Sequence, residues 1–318
     1  MKNLVTGGAG FIGMHLTELL LNRGEKVVVI DDLSTGSQSN IKKYLTNPNF
    51  EFYEMNLLSY KNDMDFFTGI DRIYHLAASV GVKYIMEKPL YSLKNNINTT
   101  EFVLDLSQFL SSKAVIISSS EVYGISDQYP FSEEDNRVYG PVSSIRWGYA
   151  YSKSIDEFMT LEYNREYELN NSVIRLFNTV GPGQSSNYGM VIPRFVKQAL
   201  TNEPMTVFGS GSQKRCFSHV FDIVKGIYDI MCETNCDGEV INLGSNYEIS
   251  ISDLARKIKK LAKSKSKIIN IPYSKAYNNF EDMKKRVPDL NKVIQLIGYK
   301  PQYKLNEIIE DVIEYEKL

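Results

Sequence analysis

The chain has 318 residues and a formal net charge of −2, so it can bury a full core, and its charge gives no reason to expect nucleic acid or an anionic membrane as a partner. No apolar run reaches the ~18 residues of a membrane span, and the apolar start resembles a buried strand, so we expect no signal peptide. Three cysteines and three histidines are scattered without metal-ligand spacing, which predicts a reduced, cytoplasmic protein without a metal site.

The first predicted elements are a strand, a glycine-rich turn and a helix. Residues 2–6 form an apolar run, Gly7, Gly10 and Gly13 follow, and residues 14–21 have the apolar spacing of a helix. In a phosphate-binding turn, the first glycine permits the tight turn, the second lets a pyrophosphate approach the backbone, and the third lets the helix pack closely on the strand. The free N–H groups and the positive end of the helix dipole then bind the anion. The segment therefore predicts a dinucleotide site.

The second predicted strand, residues 26–30, ends in two aspartates, Asp31 and Asp32. Asp31 lies 18 residues after Gly13, which is about where a carboxylate binds the hydroxyls of the adenosine ribose. A carboxylate at this point repels a 2′-phosphate. We therefore expect the cofactor to be NAD rather than NADP.

The alternation of strands and helices continues through the first half of the chain. Further strands are predicted at residues 49–54, 72–78, 114–119 and 172–177, and helices at residues 93–110 and 155–168. Short apolar strands separated by helices predict an α/β fold with a Rossmann-type, doubly wound parallel sheet. Ligands of such sheets bind beyond the carboxyl ends of the strands.

The second half of the chain has a different pattern. The alternation gives way to Gly- and Pro-rich segments and short helices, which predicts a smaller lobe for the substrate. Residues 226–232 and 239–243 resemble returns to the sheet. We therefore predict an NAD-binding domain over residues 1–178, completed by about 217–245, and a discontinuous substrate lobe over residues 179–318.

A serine, a tyrosine and a lysine form a candidate catalytic set. Ser119 ends a predicted strand, and Tyr149 and Lys153 are four residues apart, so they share one face of a helix. An ammonium beside a phenol favours the phenolate and lowers the pKa of the phenol. A tyrosine with a lowered pKa suits general base catalysis near neutral pH.

With these motifs the whole chain resembles the extended short-chain dehydrogenase/reductase family, in its group of nucleotide-sugar epimerases, dehydratases and decarboxylases. The resemblance implies that Tyr149 takes the proton from the C4 hydroxyl of the sugar while a hydride passes to NAD. It implies that Lys153 holds the nicotinamide ribose and lowers the pKa of Tyr149, and that Ser119 hydrogen-bonds the reacting oxygen. The intact set of three argues against the alternative of a non-catalytic, NAD-sensing scaffold.

The resemblance also implies a set of binding residues for the cofactor and for a nucleotide-diphosphate sugar. Asn98 resembles an asparagine that supports the active site from a neighbouring helix, and Asn56 stands where many relatives have an aspartate that contacts adenine. Asn178 resembles an asparagine that contacts the nucleotide-sugar, and Arg215 and Arg286 lie in segments whose arginines neutralise the diphosphate. The implied cofactor-binding residues are Gly7, Gly10, Phe11, Ile12, Gly13, Asp31, Asp32, Asn56, Leu57, Leu76, Ala77, Ala78, Asn98, Tyr149 and Lys153.

Glu121 bears on the reaction that follows oxidation at C4, and we expect it to be catalytic. Epimerases of the family usually have a small neutral residue there, whereas dehydratases and decarboxylases have Glu. Residues 140–149 resemble the decarboxylase domain of the bifunctional enzyme that modifies lipid A with aminoarabinose, and residues 281–289 resemble UDP-xylose synthases. The leading interpretation is UDP-glucuronate decarboxylation. Epimerisation at C4 and 4,6-dehydration stay open, since Ser120 and Glu121 together also resemble GDP-mannose dehydratases.

Two predicted helices have apolar residues on two sides. These residues are Phe102, Leu106 and Phe109 in the helix at 93–110, and Phe158 and Leu161 in the helix at 155–168. One side of each helix can cover the sheet and the other a partner. We therefore expect a homodimer through a four-helix bundle, as in relatives of the family.

Overall fold

The computed structural model describes residues 1–186, 190–272 and 283–317. The strands are β1 (Lys2–Thr6), β2 (Lys26–Asp31), β3 (Phe50–Glu54), β4 (Arg72–His75), β5 (Lys113–Ser119), β6 (Ser172–Leu176), β7 (Thr179–Val180), β8 (Met205–Phe208), β9 (Lys214–Cys216), β10 (Ser218–His219), β11 (Val240–Leu243), β12 (Glu248–Ser250) and β13 (Ile268–Ile271). The helices are α1 (Phe11–Asn22), α2 (Gln38–Ile41), α3 (Val82–Glu87), α4 (Pro89–Leu110), α5 (Gly148–Tyr167), α6 (Val191–Leu200), α7 (Val220–Cys232), α8 (Ile251–Leu261), α9 (Asn291–Ile297) and α10 (Leu305–Tyr315).

Seven of these strands form one sheet in the order β11-β6-β5-β4-β1-β2-β3. All neighbouring pairs in it are parallel. The chain runs outward from β1 to β3 and then crosses to β4 on the other side of β1, so the strand order reverses at β1. Such a reversal opens a crevice at the carboxyl ends of the strands. The doubly wound α/β sheet predicted from the sequence is confirmed.

Both faces of the sheet are buried, because successive residues of a strand point to opposite faces. Val27 and Val29 of β2 belong to the hydrophobic core that also contains Leu16 of α1 and Ile227 of α7. Val28 belongs to the core on the opposite face, together with side chains of α4. Helices on both faces explain why the strands are continuous apolar runs rather than alternating ones.

A separate hydrophobic core lies in the second half of the chain. It contains side chains of α6, α8 and α10, such as Val196, Leu254 and Ile309. Two small sheets accompany it, the parallel pair of β8 and β13 and the antiparallel pair of β9 and β12. Within the described ranges we find no helix with the length and apolar character that a bilayer crossing requires.

The structure corrects one of the two predicted returns to the sheet. Residues 240–243 do pair with β6, as β11, but residues 226–232 are the second half of α7. The buried residues Ile223, Ile227 and Ile230 are three and four positions apart, which is the spacing of one helix face against the sheet. The domain boundaries themselves stay a prediction.

Candidate active site

The carboxyl ends of the central strands open onto a cavity of about 780 Å³. The second half of the chain contributes to the same cavity through Arg194 of α6, Phe208 of β8 and Arg215 of β9. Every residue predicted above for catalysis, cofactor or substrate lines this cavity, with the exception of Asn98. The sequence motifs from distant parts of the chain therefore meet in one place.

The glycine turn between β1 and α1 has a backbone that side chains would obstruct. Gly7 has a φ of +72°, and a Cβ at this position would lie 2.7 Å from the backbone nitrogen of Ala77. A Cβ at Gly13 would lie 2.2 Å from the carbonyl oxygen of Gly7, whereas a Cβ at Gly10 would lie 3.2 Å from it. Phe11 and the glycines line the cavity where α1 begins. This cradle fits the pyrophosphate of a dinucleotide, because backbone N–H groups at a helix start bind anions.

Asp31 organises the backbone at the end of β2. Its Oδ2 accepts a hydrogen bond from the N–H of Ala9 at 2.9 Å, and its Oδ1 accepts one from the N–H of Leu33 at 2.8 Å. Burial raises the pKa of Asp31, and the backbone N–H groups of Leu33, Ala9 and Gly10 oppose that effect. The carboxylate keeps acceptor capacity for a ribose hydroxyl.

The sequence analysis missed the polar residues that follow Asp31 and Asp32. Four of them line the cavity, namely Ser34, Thr35, Ser37 and Asn40. The Asn40 side chain donates to the carbonyl of Ala9 at 2.8 Å, so it fastens this loop to the glycine turn. A run of small hydroxyl residues directly after the strand-end aspartates was the signal that could have found them.

The remaining predicted cofactor residues lie at the ends of β3 and β4. Asn56 accepts a hydrogen bond from the N–H of Leu58 at 2.9 Å through its Oδ1, which leaves its amide group as a donor toward the cavity. Leu57, Leu76, Ala77 and Ala78 also line the cavity.

The structure corrects the prediction that Asn98 belongs to the site. Asn98 is exposed on α4, whereas Asn95 and Thr99, which are four residues apart and share one helix face, line the cavity. Asn95 donates to the hydroxyl of Ser79 at 3.3 Å. In a run of three asparagines within four positions the sequence does not reveal which one faces inward, because the helix phase is set by packing against the sheet.

Ser119, Tyr149 and Lys153 come together at the end of β5 and the start of α5. The Ser119 side chain hydrogen-bonds the Tyr149 side chain. Burial raises the pKa of Tyr149, and the charge of Lys153 and the bond from Ser119 oppose this effect without reversing it. Lys153 therefore acts on the pKa of Tyr149 in the predicted direction, but burial has the larger effect in this structure.

Lys153 is almost completely buried and donates from Nζ to Oδ2 of Asp156 at 2.9 Å. Burial alone would lower the pKa of Lys153, but the Asp156 carboxylate outweighs it, and the net direction is upward. Lys153 is therefore a charged ammonium. The sequence analysis did not single out Asp156.

Glu121 lies between two arginines. Its carboxylate is 2.6 Å from Nη2 of Arg146 and 2.7 Å from Nη2 of Arg286. Burial opposes ionisation of Glu121, but the charges of Arg286 and Arg146 outweigh it and lower its pKa to about 2. Arg286, predicted to neutralise a diphosphate, is thus an ion-pair partner of Glu121. Arg146, from the segment 140–149, also lines the cavity, and the sequence analysis gave it no role. The arrangement sets two cations against one carboxylate.

The other predicted substrate residues lie on the side of the second lobe. Asn178 donates to the carbonyl of Cys216 at 2.8 Å, and Arg215 donates to the carbonyl of Lys214 at 2.7 Å. Gln213 lines the cavity beside them. Of the segment at 281–289, residues 281 and 282 lie outside the described residues. Over the described part of the chain, no three His, Cys, Asp or Glu side chains are grouped so that they could hold a metal ion.

Comparisons with known proteins agree over nearly the full length of the chain. A family model described as GDP-mannose 4,6 dehydratase matches residues 4–312. UDP-N-acetyl-alpha-D-glucosaminuronate decarboxylase of Bacillus cytotoxicus is 37% identical over 314 residues, which are 98% of this chain and 96% of that protein. UDP-glucuronic acid decarboxylase 1 of Danio rerio is 34% identical, and the match covers 98% of this chain and 72% of that protein.

A solved structure adds a similar protein with a different name. The UDP-glucuronic acid 4-epimerase from Bacillus cereus, in complex with UDP-glucuronic acid and NAD, superposes with a TM-score of 0.89. It is 30% identical to this chain, and the match covers 100% of this chain and 99% of that one.

Proposed function

The chain belongs to the extended short-chain dehydrogenase/reductase family, in its NAD-dependent group of nucleotide-sugar epimerases, dehydratases and decarboxylases, and from this premise we propose that it decarboxylates a UDP-linked hexuronate. The leading substrate is UDP-glucuronate. The related decarboxylases act, by their names, on UDP-glucuronic acid and on UDP-N-acetylglucosaminuronate. Both compounds therefore belong in the test.

The observation that carries this proposal is the pair of arginines around Glu121. The Arg146 and Arg286 side chains are only 8% and 10% exposed, and both point at one carboxylate. Two guanidinium groups therefore line this end of the cavity beside a single carboxylate. A planar guanidinium binds a carboxylate through two parallel hydrogen bonds. The sugar acid of a hexuronate supplies such a group, whereas a neutral hexose does not.

The cofactor is NAD, and the residues around the glycine turn fit it. Gly7, Gly10 and Gly13 would hold the pyrophosphate, Asp31 the adenosine ribose, and Lys153 the nicotinamide ribose. When bound, NAD would supply the hydride acceptor, and later the hydride donor, for C4 of the sugar. Oxidation at C4 would turn the carboxyl group on C5 into that of a β-keto acid, which loses carbon dioxide readily, and the resulting enolate would take a proton at C5 from water.

The chain's own side chains move and hold the proton. Tyr149 takes the proton of the C4 hydroxyl and later gives it back, and Ser119 hydrogen-bonds the same oxygen. Lys153 stabilises the phenolate while the proton is away. We expect Glu121, two residues beyond Ser119, to act at C5 after the oxidation, and its carboxylate pairs with Arg146 and Arg286.

A second candidate is epimerisation of the same UDP-linked hexuronate at C4. The arginine pair fits a uronate whether or not its carboxyl group is lost, and the Bacillus cereus neighbour is named as a UDP-glucuronic acid 4-epimerase. The two candidates share Ser119, Tyr149 and Lys153. They differ in whether a bond is broken at C5 of the sugar, where we expect Glu121 to act.

The test is incubation of the purified protein and NAD with UDP-glucuronate, UDP-N-acetylglucosaminuronate, UDP-glucose, GDP-mannose and dTDP-glucose, followed by mass spectrometry and NMR. We expect loss of carbon dioxide from a UDP-hexuronate and no reaction with the three neutral sugars. Unchanged mass with inverted C4 identifies the epimerase. Loss of water from a neutral sugar overturns the proposal in favour of a 4,6-dehydratase.

We also propose that the protein is a cytoplasmic homodimer with an NAD-binding domain over residues 1–178 and a substrate lobe over 179–318. Phe109 of α4 and Phe158 of α5 are 52% and 64% exposed, whereas Phe102 and Leu106 of α4 are buried against the sheet. The exposed side of both helices supports a partner helix pair of a second copy.

A further inference from the structure

Asp156 is a buried acid next to the proposed catalytic set, and the reaction described above does not use it. It lies three residues after Lys153 in α5 and is 0% exposed. Its Oδ2 accepts a hydrogen bond from Lys153 Nζ at 2.9 Å. Burial raises the pKa of Asp156, and the charge of Lys153 and a side-chain hydrogen bond with Thr100 oppose that effect. A carboxylate in a dry interior is costly, so its presence beside Lys153 calls for a reason.

The neighbouring acid, Glu157, is engaged elsewhere. Its carboxylate accepts bonds from Nε and Nη2 of Arg175 at 3.0 and 2.9 Å, and from the hydroxyl of Ser118 at 2.6 Å. It also pairs with Arg137. Glu157 thus ties α5 to the sheet, and Asp156 is the acid that holds the ammonium of Lys153 among the described residues.

We propose that Asp156 is a positioning residue for the reaction. It fixes the Lys153 ammonium and offsets part of its positive charge. Tyr149 therefore holds the proton taken from the sugar and returns it readily to the C4 oxygen. The inference rests on the proposed function, because it takes Tyr149 as the group that both accepts and returns the proton. A redox-neutral cycle needs both the removal of the C4 hydroxyl proton by Tyr149 and its later return. A strong excess of positive charge at Lys153 would favour the removal and slow the return.

The charges around Tyr149 support this role. Lys153 acts to lower the pKa of Tyr149, and Glu121 and Asp156 act to raise it. The charge of Glu121 is met by two arginines, whereas Asp156 has Lys153 as its ion-pair partner. His75 is uncharged, since burial and Lys153 lower its pKa to about 3. Asp156 is therefore the anion paired directly with Lys153, and its removal leaves a larger net positive charge acting on Tyr149.

The test is Asp156→Asn, which keeps the shape of the side chain and an acceptor for Lys153 but removes the charge. The titration of Tyr149 is measured from phenolate absorbance in the NAD-bound protein without sugar, as the difference between each protein and its Tyr149→Phe counterpart. We expect the pKa of Tyr149 to fall by about one unit, which is the scale of a single nearby charge. The acid limb of the kcat/KM profile with UDP-glucuronate should move to lower pH by a similar amount.

Two variants make the result specific. Asp156→Glu keeps the charge and should keep the wild-type titration, and Asp253→Asn, at an exposed position of α8, should change neither measurement. If Asp156→Asn does not fold, Asp156→Ser also removes the charge without adding volume and should give a shift of the same sign.

An unchanged Tyr149 titration in the neutral variant overturns the proposal, even if stability or kcat falls, because a merely structural ion pair gives that result. The titration needs no substrate. Failure of the wild type to convert any UDP-hexuronate therefore refutes the proposed function separately, while the phenolate measurement still decides the role of Asp156.

Discussion

The two ends of the cavity are built by different means. At the dinucleotide end the shape comes from the backbone, with Gly7 and Gly13 at positions where a Cβ would meet main-chain atoms at 2.7 and 2.2 Å. At the sugar end it comes from side chains that converge from separate segments, as Glu121, Arg146 and Arg286 do. Substitutions at the first end should therefore disturb folding and cofactor binding. Substitutions at the second end should change the chemistry and keep the backbone in place, although removing a buried charge there also costs stability.

The largest effect is expected at the sugar end, for Tyr149→Phe. The change removes only the phenolic oxygen, so oxidation at C4 should slow by ~10²–10⁴, while UDP-glucuronate binds with nearly the same affinity. Single-turnover absorbance of the nicotinamide and calorimetry of sugar binding measure the two effects.

Tyr151→Phe is the matched control for this prediction. Tyr151 lies two residues further along α5 and packs edge-on against Tyr139, with ring centroids 5.0 Å apart. Turnover should stay near that of the wild type. Near-normal turnover in Tyr149→Phe would instead show that another group is the base.

Glu121→Gln should have the next largest effect. In a decarboxylase the variant should still reduce NAD with substrate but stall at the keto-sugar, with kcat lower by ~10²-fold. In a 4-epimerase kcat should stay within about an order of magnitude, because no chemistry occurs at C5. Rapid absorbance measurements report the first step and product mass the second. A variant that does not reduce NAD at all would mean that Glu121 positions the substrate.

The Glu121 carboxylate should also make the free energy of unfolding depend on pH. The pKa of Glu121 is about 2 in the folded protein and 4.5 ordinarily, so the unfolded state binds its proton first as the pH falls. The stabilisation by ionised Glu121, about 3 kcal/mol from this difference, is complete above pH 4.5 and disappears toward pH 2. The difference in free energy of unfolding between wild type and Glu121→Gln, measured by urea unfolding, should shrink as the pH falls from 4.5 toward 2. A difference that is constant with pH contradicts the ion-pair arrangement.

At the dinucleotide end we expect effects on stability and on cofactor binding. Gly13→Ala should lower the free energy of unfolding by ~1–3 kcal/mol, because its Cβ would lie 2.2 Å from the Gly7 carbonyl. Gly10→Ala, with a contact of 3.2 Å, should cost less stability, and both should weaken NAD binding. Thermal unfolding and NAD calorimetry test this order. Equal stability of the two variants would contradict the steric argument.

The same contrast explains how far the sequence could predict the site. The glycine turn, Asp31 and the Tyr149/Lys153 pair are local patterns, in which spacing along one strand or helix already fixes the geometry. The contact between Glu121 and Arg286 joins residues 165 positions apart, and no local rule places them together. The choice of Asn95 over Asn98 depends on helix phase. The pKa of Tyr149 depends on burial and on Asp156, neither of which the spacing reveals.

The smallest effect on catalysis is expected far from both ends, at the proposed dimer surface. Phe158 is 64% exposed on α5, and Phe158→Glu should place a charge where a second copy covers the helix, which desolvates it at high cost. Light scattering at micromolar protein should show a dimer for the wild type and a monomer for the variant, with kcat within a few-fold, since the cavity is built from one chain.

Tyr247→Glu adds the same charge at a residue that is 62% exposed but lies outside α4 and α5, so it should stay dimeric. A monomeric wild type refutes the predicted homodimer. A dimer that survives Phe158→Glu places the interface on another surface. In that case the exposed aromatic side of α5 needs a different explanation, because a phenylalanine in water gains nothing by folding.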